Sequence, residues 1–235
     1  MDNVALMKRV DTKFLIKKNQ LTNILKSIKN NYSILEIGQN RLMKYDSLYF
    51  DTDLKQFYYD HHNKRVRRVK IRIRKYVESD LYFLEVKQKD IKGNTNKNRI
   101  KIDKFEFCLS NSSKNFINSI TKAKYKLSPS LWNSFNRITL VNKNAKERVT
   151  IDLNLSFSLD DNEKRYDDLV IIELKQERYN RKSPIVEILK KNRIHPYSIS
   201  KYCIGMINLY ENIKYNRFKE KLIKINQITT NIWSS

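Results

Sequence analysis

Apolar and charged side chains alternate along residues 69–89, "VKIRIRKYVESDLYFLEVKQK", which predicts two strands joined by a turn at Glu78 and Ser79. Residues i and i+2 of a strand share a face. Arg72, Arg74 and Tyr76 are therefore set against Val69, Ile71 and Ile73, and Phe83, Glu85 and Lys87 against Tyr82, Leu84 and Val86. The design recurs further along the chain. Arg148, Thr150, Asp152 and Asn154 oppose Val149, Ile151 and Leu153, while Glu173 and Lys175 oppose Val170, Ile172 and Leu174. Near the start, Asp11 and Lys13 are set against Thr12, Phe14 and Ile16.

The same reading predicts further strands over 8–16, 32–37, 42–51, 98–109, 132–142, 147–157 and 168–176. It predicts helices over 19–30, 53–63, 112–122, 182–193 and 201–222, the first with Leu21, Ile24, Leu25 and Ile28 on one face. Strands dominate, and no internal repeat is visible. Only 3 Gly and 3 Pro occur in 235 residues, which leaves no flexible linker, so residues 1–235 read as one α+β domain.

Two arrangements satisfy strands with one apolar and one charged face. In the first, an antiparallel sheet turns its charges to water. In the second, the sheet curls into a barrel that is apolar outside, sheathed by helices, and charged within. Two features favour the second. The charged faces carry Arg-x-Arg and Glu-x-Lys pairs where a solvated face would mix Thr, Ser, Gln and Lys, and the amphipathic helices are numerous enough to cover an outer apolar surface. A lumen of Arg and Lys balanced by a few Glu suits a multiply charged anion with its metal ion.

Composition sharpens this picture. The chain is 40% hydrophobic and 11% aromatic with a mean hydropathy of -0.68, which is globular rather than disordered. Its net charge of +23 attracts polyanions, although scattered lysines such as those of "EKLIKINQ" read as a solvated face. No apolar run approaches the length of a membrane span and the N-terminal stretch lacks the apolar block of a signal peptide, so a cytoplasmic location is expected. Cys108 and Cys203 lack metal-ligand spacing and read as buried free thiols. His61 and His62 have no partner cluster apart from the distant His195, which argues against metal or acid–base work. There is no P-loop, no dinucleotide fingerprint and no nucleophile triad.

The segments "DTKFLI", "SLYFDT", "RVKIRIRKY", "YFLEVKQK", "FNRITL", "ERVTIDLNL", "VIIELK" and "SISKYCIG", in this order, resemble the catalytic domain of the vacuolar transporter chaperone (VTC) polyphosphate polymerases. These belong to the triphosphate tunnel metalloenzymes of the CYTH-like superfamily. The resemblance implies an antiparallel β-barrel tunnel sheathed by helices, with a closing C-terminal helix. It implies that Lys13 contacts the transferring phosphate, that Arg72 and Arg74 clamp phosphate oxygens, and that Lys87, Arg137, Arg148 and Lys201 complete the basic lining. Lys13, Arg74 and Lys87 are the implied catalytic residues. Glu173 is the implied ligand for Mn2+ or Mg2+, with Glu85 as a second candidate that an Arg of the lumen would compete for. Lys97, Arg99, Asp152 and Lys175 are placed near the lumen without a role. Two positions depart from the family pattern: Ser198 stands where a second lysine is common, and Asp11 where glutamate is commoner.

The implied activity is transfer of the γ-phosphoryl group of ATP to a growing polyphosphate chain. The alternatives are a triphosphatase with the same lumen and a non-enzymatic module binding polyphosphate or nucleic acid. The expected partners are ATP, triphosphate and polyphosphate, with no specific nucleic acid. These 235 residues contain neither the phosphate-sensing domain nor the membrane helices of the eukaryotic enzymes, so a membrane-protein partner is expected if polymer is to cross a membrane.

Overall fold

The computed structural model describes residues 10–230, so Lys8 and Arg9, at the start of the first predicted strand, lie outside the described residues. The strands are β1 (Val10–Lys17), β2 (Tyr32–Ile34), β3 (Met43–Asp51), β4 (Arg68–Tyr76), β5 (Leu81–Lys89), β6 (Thr95–Ile102), β7 (Ser128–Asn142), β8 (Glu147–Leu159), β9 (Asn162–Tyr166) and β10 (Leu169–Gln176). The helices are α1 (Lys18–Ile28), α2 (Gln56–His62), α3 (Asn111–Thr121), α4 (Pro184–Lys191), α5 (Lys201–Leu209) and α6 (Lys219–Thr229).

All strands join one antiparallel sheet in the order β1-β10-β8-β7-β3-β4-β5-β6, with β2 added to β7 and β9 to β8. The sheet curls about its charged face. Lys87 of β5 feels the charges of Lys13 and Asp11 on β1 and of Glu173 on β10, which are near the opposite end of the strand order. Among the described residues β1 and β6 share no ladder, so the barrel keeps a seam there. The β1 side of that seam is covered by the return segment after α4, whose Tyr197 N–H donates to the Lys13 carbonyl at 2.7 Å.

The apolar strand faces point outward and are covered as the alternation predicts. Leu21, Ile24 and Ile28 of α1 and Ile185 and Leu189 of α4 pack on Phe14, Ile16, Val149, Ile151, Val170, Ile172 and Leu174. Ile117 of α3 packs on Leu48, Phe50, Ile71, Ile73, Leu84 and Val86. A third cluster lies within the curl, on the same strand faces as the charges. Leu15, Leu155, Phe157, Leu169 and Ile171 are joined there by Tyr202, Cys203 and Met206 of α5. The interior is thus charged in one part and filled by α5 in another. Gly205 permits that seat, since a Cβ there would lie 2.6 Å from Cδ1 of the Phe157 ring.

Several expectations are corrected. The helix expected over 201–222 ends at Leu209, because Tyr210 is extended and its hydroxyl donates to the Ser130 carbonyl, and the chain becomes helical again only at a 3-10 turn over Asn216–Phe218 that leads into α6. The strand expected over 98–109 starts earlier and stops at Ile102, beyond which Phe105 turns onto Trp132 with ring centroids 4.7 Å apart. Asn154 leaves the charged face: its φ of 51° and the register shift against β7 make a bulge, and its side chain meets Lys18 and Asn136. The strand over 32–37 is only Tyr32–Ile34, and β9 was not foreseen. Cys203 is buried but Cys108 is exposed, because the segment carrying it follows β6 out of the sheet.

Candidate functional site

The charged faces of β1, β10, β8, β7, β3, β4, β5 and β6 meet in one lumen, and cross-strand register decides which charges touch. Arg72 of β4 stands opposite Glu85 of β5. Its Nε and Nη2 both reach Glu85 Oε2, at 2.7 and 2.6 Å, while Nη1 donates to the Tyr49 hydroxyl at 2.9 Å. Lys97 of β6 takes the other oxygen, Oε1. Glu85 is 2% exposed, and burial alone would raise its pKa, yet Arg72, Arg74 and Lys97 hold it well below the usual carboxylate range. Partial desolvation and the charges of Arg72 and Arg74 lower Lys97, whose side chain is still 42% exposed, to about 8 despite the Glu85 charge.

A second carboxylate knot lies across the lumen. Arg137 of β7 stands opposite Asp152 of β8 and grips it bidentately, Nε at 2.6 Å and Nη2 at 2.8 Å. Lys201, the first residue of α5, donates to Asp152 Oδ2, the oxygen that Arg137 Nη2 also holds. Despite burial these two cations hold Asp152 at about 2. Between the two knots a stacked aromatic pair, Tyr45 and Phe135, 5.3 Å apart, supports the cations. Arg74 and Arg137 lie 5.1 to 5.4 Å from these rings and Lys201 lies 4.2 Å from Phe135.

Glu173 of β10 is held more loosely. Lys13 approaches it at 3.4 Å and Lys175 at 3.2 Å, and Lys175 also meets Asp11 at 3.3 Å. Burial works against its charge, but Lys13, Lys175, Arg137 and Lys201 keep it ionised far below the ordinary range. Among the described residues no three His, Cys, Asp or Glu side chains gather as a ready-made metal cage. A divalent ion that takes most of its oxygens from phosphate and water needs only one or two carboxylates. Glu173, with no short bond to its oxygens, fits that role, whereas Glu85 has both oxygens committed to Arg72 and Lys97.

Several cations have no carboxylate of their own. Arg74 is 5% exposed, and among the described residues its only side-chain hydrogen bond is Nε to Ser47 Oγ at 3.0 Å; burial and the nearby Arg72 lower its pKa. Lys87, opposite Lys70 in the ladder, is lowered by desolvation, by Lys70 and by Lys13. It still contacts water, because the lumen is solvent-accessible although walled by protein. Arg148 has the inward register, opposite Lys175, but its side chain is exposed at the mouth and makes no ion pair among the described residues. Arg99 lies over the Phe83 ring, 4.7 Å from its centroid.

Some residues of this lumen were not singled out from the sequence. Lys70 shares the face of Arg72 and Arg74, so alternation extended by one step would have found it. It donates to Ser200 Oγ at 3.0 Å, and Ser200 also caps α5 by accepting from Cys203 N–H, which aims the positive end of the helix at the lumen. Tyr49 is bent below its ordinary pKa, against burial, by Arg72, Arg74 and Lys70. Lys221 of α6 carried no signal at all. Its ammonium donates to the Ser198 carbonyl and senses Lys13, so a cation reaches the place where Ser198 supplies none. His61 borders Lys70, Arg68 and Lys87; burial and these cations lower it to about 3, so its ring is neutral. His62 is fixed between Asn63 and Asn216.

No curated protein matches the chain. A solved structure from Hippeastrum, described as an adenylyl cyclase candidate with a dominant triphosphatase activity, is 14% identical with a TM-score of 0.53, over 87% of this chain and 98% of that one. A conserved hypothetical protein from Pyrococcus furiosus is 14% identical with a TM-score of 0.45, over 81% and 96%. A candidate adenylate cyclase from Bacillus halodurans is 15% identical with a TM-score of 0.45, over 91% and 100%. The VTC domain matches residues 8–210, which is most of the chain. With a charged lumen inside a curled antiparallel sheet and a family match of that extent, the chain belongs to the VTC domain family.

Proposed function

We propose that the lumen binds the triphosphate of ATP and transfers the γ-phosphoryl group to the end of a polyphosphate chain. The observation that carries this reading is the set of inward cations without a carboxylate of their own, Arg74, Lys70 and Lys87. Arg74 is buried, Lys70 half-buried and Lys87 exposed to water, and like charges gathered on one inward face repel unless an anion completes them. The carboxylates present are placed to orient the cations: Glu85 and Tyr49 fix the Arg72 fork, and Asp152 fixes Arg137 and Lys201.

In the reaction the bond between the γ-phosphorus and the bridging oxygen of ATP breaks, ADP leaves, and a terminal oxygen of the acceptor chain bonds to the same phosphorus. Negative charge shifts toward the leaving oxygen, and fixed cations lower that barrier. In this assignment Lys13, Arg74 and Lys87 act at the transferring group, and Arg72, Arg137, Arg148 and Lys201 hold the remaining phosphates. Lys13 already neighbours Glu173. A bound Mn2+ or Mg2+ held by Glu173 would add charge neutralisation on the phosphate oxygens. Glu85, in the same scheme, serves as counter-ion to Arg72 and Lys97.

Hydrolysis is the second reading, with water as acceptor in the same lumen; it is supported by the activity ascribed to the Hippeastrum neighbour. Incubation with labelled ATP and Mn2+, followed by separation of long polyphosphate from orthophosphate, decides between them. Labelled polymer is expected. Orthophosphate alone would make the protein a triphosphatase, and neither product would leave a binding module.

A further inference from the structure

Thr150 is a buried hydroxyl without a partner, in the middle of the charged lumen. It is 3% exposed, and its Oγ1 makes no hydrogen bond among the described residues. Its register puts it between Glu173 of β10 and Thr139 of β7, with Arg148 and Asp152 two residues to either side on the same inward face. Elsewhere in this chain a buried hydroxyl finds a main-chain carbonyl, as Thr121 does with Ile117 and Ser130 with Tyr49. Leaving such a group unmet costs stability, and valine would fill the same space in a strand without that cost. The other orphaned atoms have different surroundings: Asn133 Oδ1 is a bare acceptor, and Ser113 Oγ lies on α3, outside the lumen. Thr150 instead faces the field of Lys13, Lys175, Arg137 and Lys201, all of which act on its neighbour Glu173.

We propose that the Thr150 hydroxyl donates a hydrogen bond to a phosphoryl oxygen of the bound anion, making it a further binding residue of the lumen. This rests on the reading of the lumen as a triphosphate site. The cations around Thr150 draw in the phosphate, and the hydroxyl adds what a point charge lacks, a direction. The unmet hydrogen bond of the free protein is the stability given up for that contact.

The test uses inorganic triphosphate titrated calorimetrically in chelator against the parent, Thr150→Val and Thr150→Ser, with thermal melting of each protein. Thr150→Val is expected to melt roughly 2–4 °C higher and to bind about 5- to 10-fold more weakly. Thr150→Ser, which keeps the hydroxyl, is expected to bind within about twofold of the parent. Unchanged affinity in the Val variant overturns the proposal, and a lower melting point with unchanged affinity assigns Thr150 to the fold. A loss of affinity seen only when Mn2+ is added would move the hydroxyl to the metal and overturn it as well. A parent that binds no triphosphate brings down the reading of the lumen itself, a result distinct from a parent that binds and a Val variant that binds equally.

Discussion

Arg74 and Asp152 are both buried and both charged, and they predict opposite responses to removal. Arg74 has no carboxylate of its own, so Arg74→Ala takes one charge from a like-charged cluster and strands no counter-charge, only the buried Ser47 hydroxyl that accepted from its Nε. Triphosphate affinity is expected to fall at least about tenfold, the worth of a charged hydrogen bond, with the melting temperature unchanged or higher. Asp152→Ala strands Arg137 and Lys201 together and is expected to lower stability by about 3–5 kcal/mol in urea unfolding. If Arg74→Ala unfolds the protein instead, its role is structural. Glu173 separates metal from phosphate. Its loose bonds to Lys13 and Lys175 are not needed for the core, so Glu173→Gln is expected to keep triphosphate binding in chelator and to lose Mn2+-dependent turnover of ATP. Full turnover at low Mn2+ would take Glu173 out of the metal site.

At the scale of elements, α5 and α6 bring to the lumen what no strand could. The N-terminus of α5 delivers Lys201 and Ser200, and its seat depends on Gly205 against Phe157 and Leu131. Gly205→Ala forces the helix outward and is expected to cost about 1–3 kcal/mol of stability. The same displacement takes Lys201 away from Asp152, so triphosphate affinity should fall in parallel; a stable variant with normal affinity would show that α5 is free to shift. α6 lies beyond the matched residues 8–210 and carries Lys221 to the Ser198 carbonyl. Lys221→Ala is expected to weaken triphosphate binding a few-fold without lowering the melting temperature, since Ile225 rather than Lys221 anchors the helix.

Over the whole molecule the lumen couples binding and stability to pH in opposite directions. Lys97 is pushed down to about 8 from 10.5 although its side chain is 42% exposed, and Lys70, Lys87 and Lys201 are lowered in the same direction by partial desolvation and neighbouring cations. Between pH 8 and 10.5 the unfolded chain therefore holds protons that the fold has released, so stability rises with pH through that window. Anion binding needs the protonated form, so triphosphate affinity should fall over the same range. Melting curves and titrations at several pH values check both slopes, and parallel slopes would contradict the assignment. Surface attraction from a net charge of +23 is a separate matter. Binding of single-stranded nucleic acid should collapse between about 50 and 200 mM salt, while triphosphate enclosed by the lumen should lose less.

Strand identity and the sorting of faces were legible in the sequence because a period of two is a local property of the backbone. It set Arg72, Arg74, Glu85, Lys87, Glu173 and Lys175 on common faces, and the same rule applied one step further would have included Lys70. The order of motifs carried the family. The sequence pattern was silent wherever a side chain's partner lies far along the chain. Leu15 and Ile171 share by alternation the faces of Lys13 and Glu173, but that an apolar cluster would cover them there was not legible, because the partner is α5, which fills that part of the interior. Asn154 was misplaced because a bulge shifts the period by one, and a bulge is decided by the neighbouring strand. Which carboxylate is locked and which is loose, Glu85 or Glu173, follows from register across β4, β5 and β6 and across β1 and β10. Lys221 reaches the Ser198 carbonyl and the neighbourhood of Lys13 only because α6 docks on β1, a contact between segments far apart in sequence that no local pattern encodes. Alternation along the chain therefore determined that a charged face exists, and the curl of the sheet decided that it encloses a lumen. The reason is that covering the apolar outer faces with α1, α3 and α4 leaves the charged faces nowhere to meet except one another.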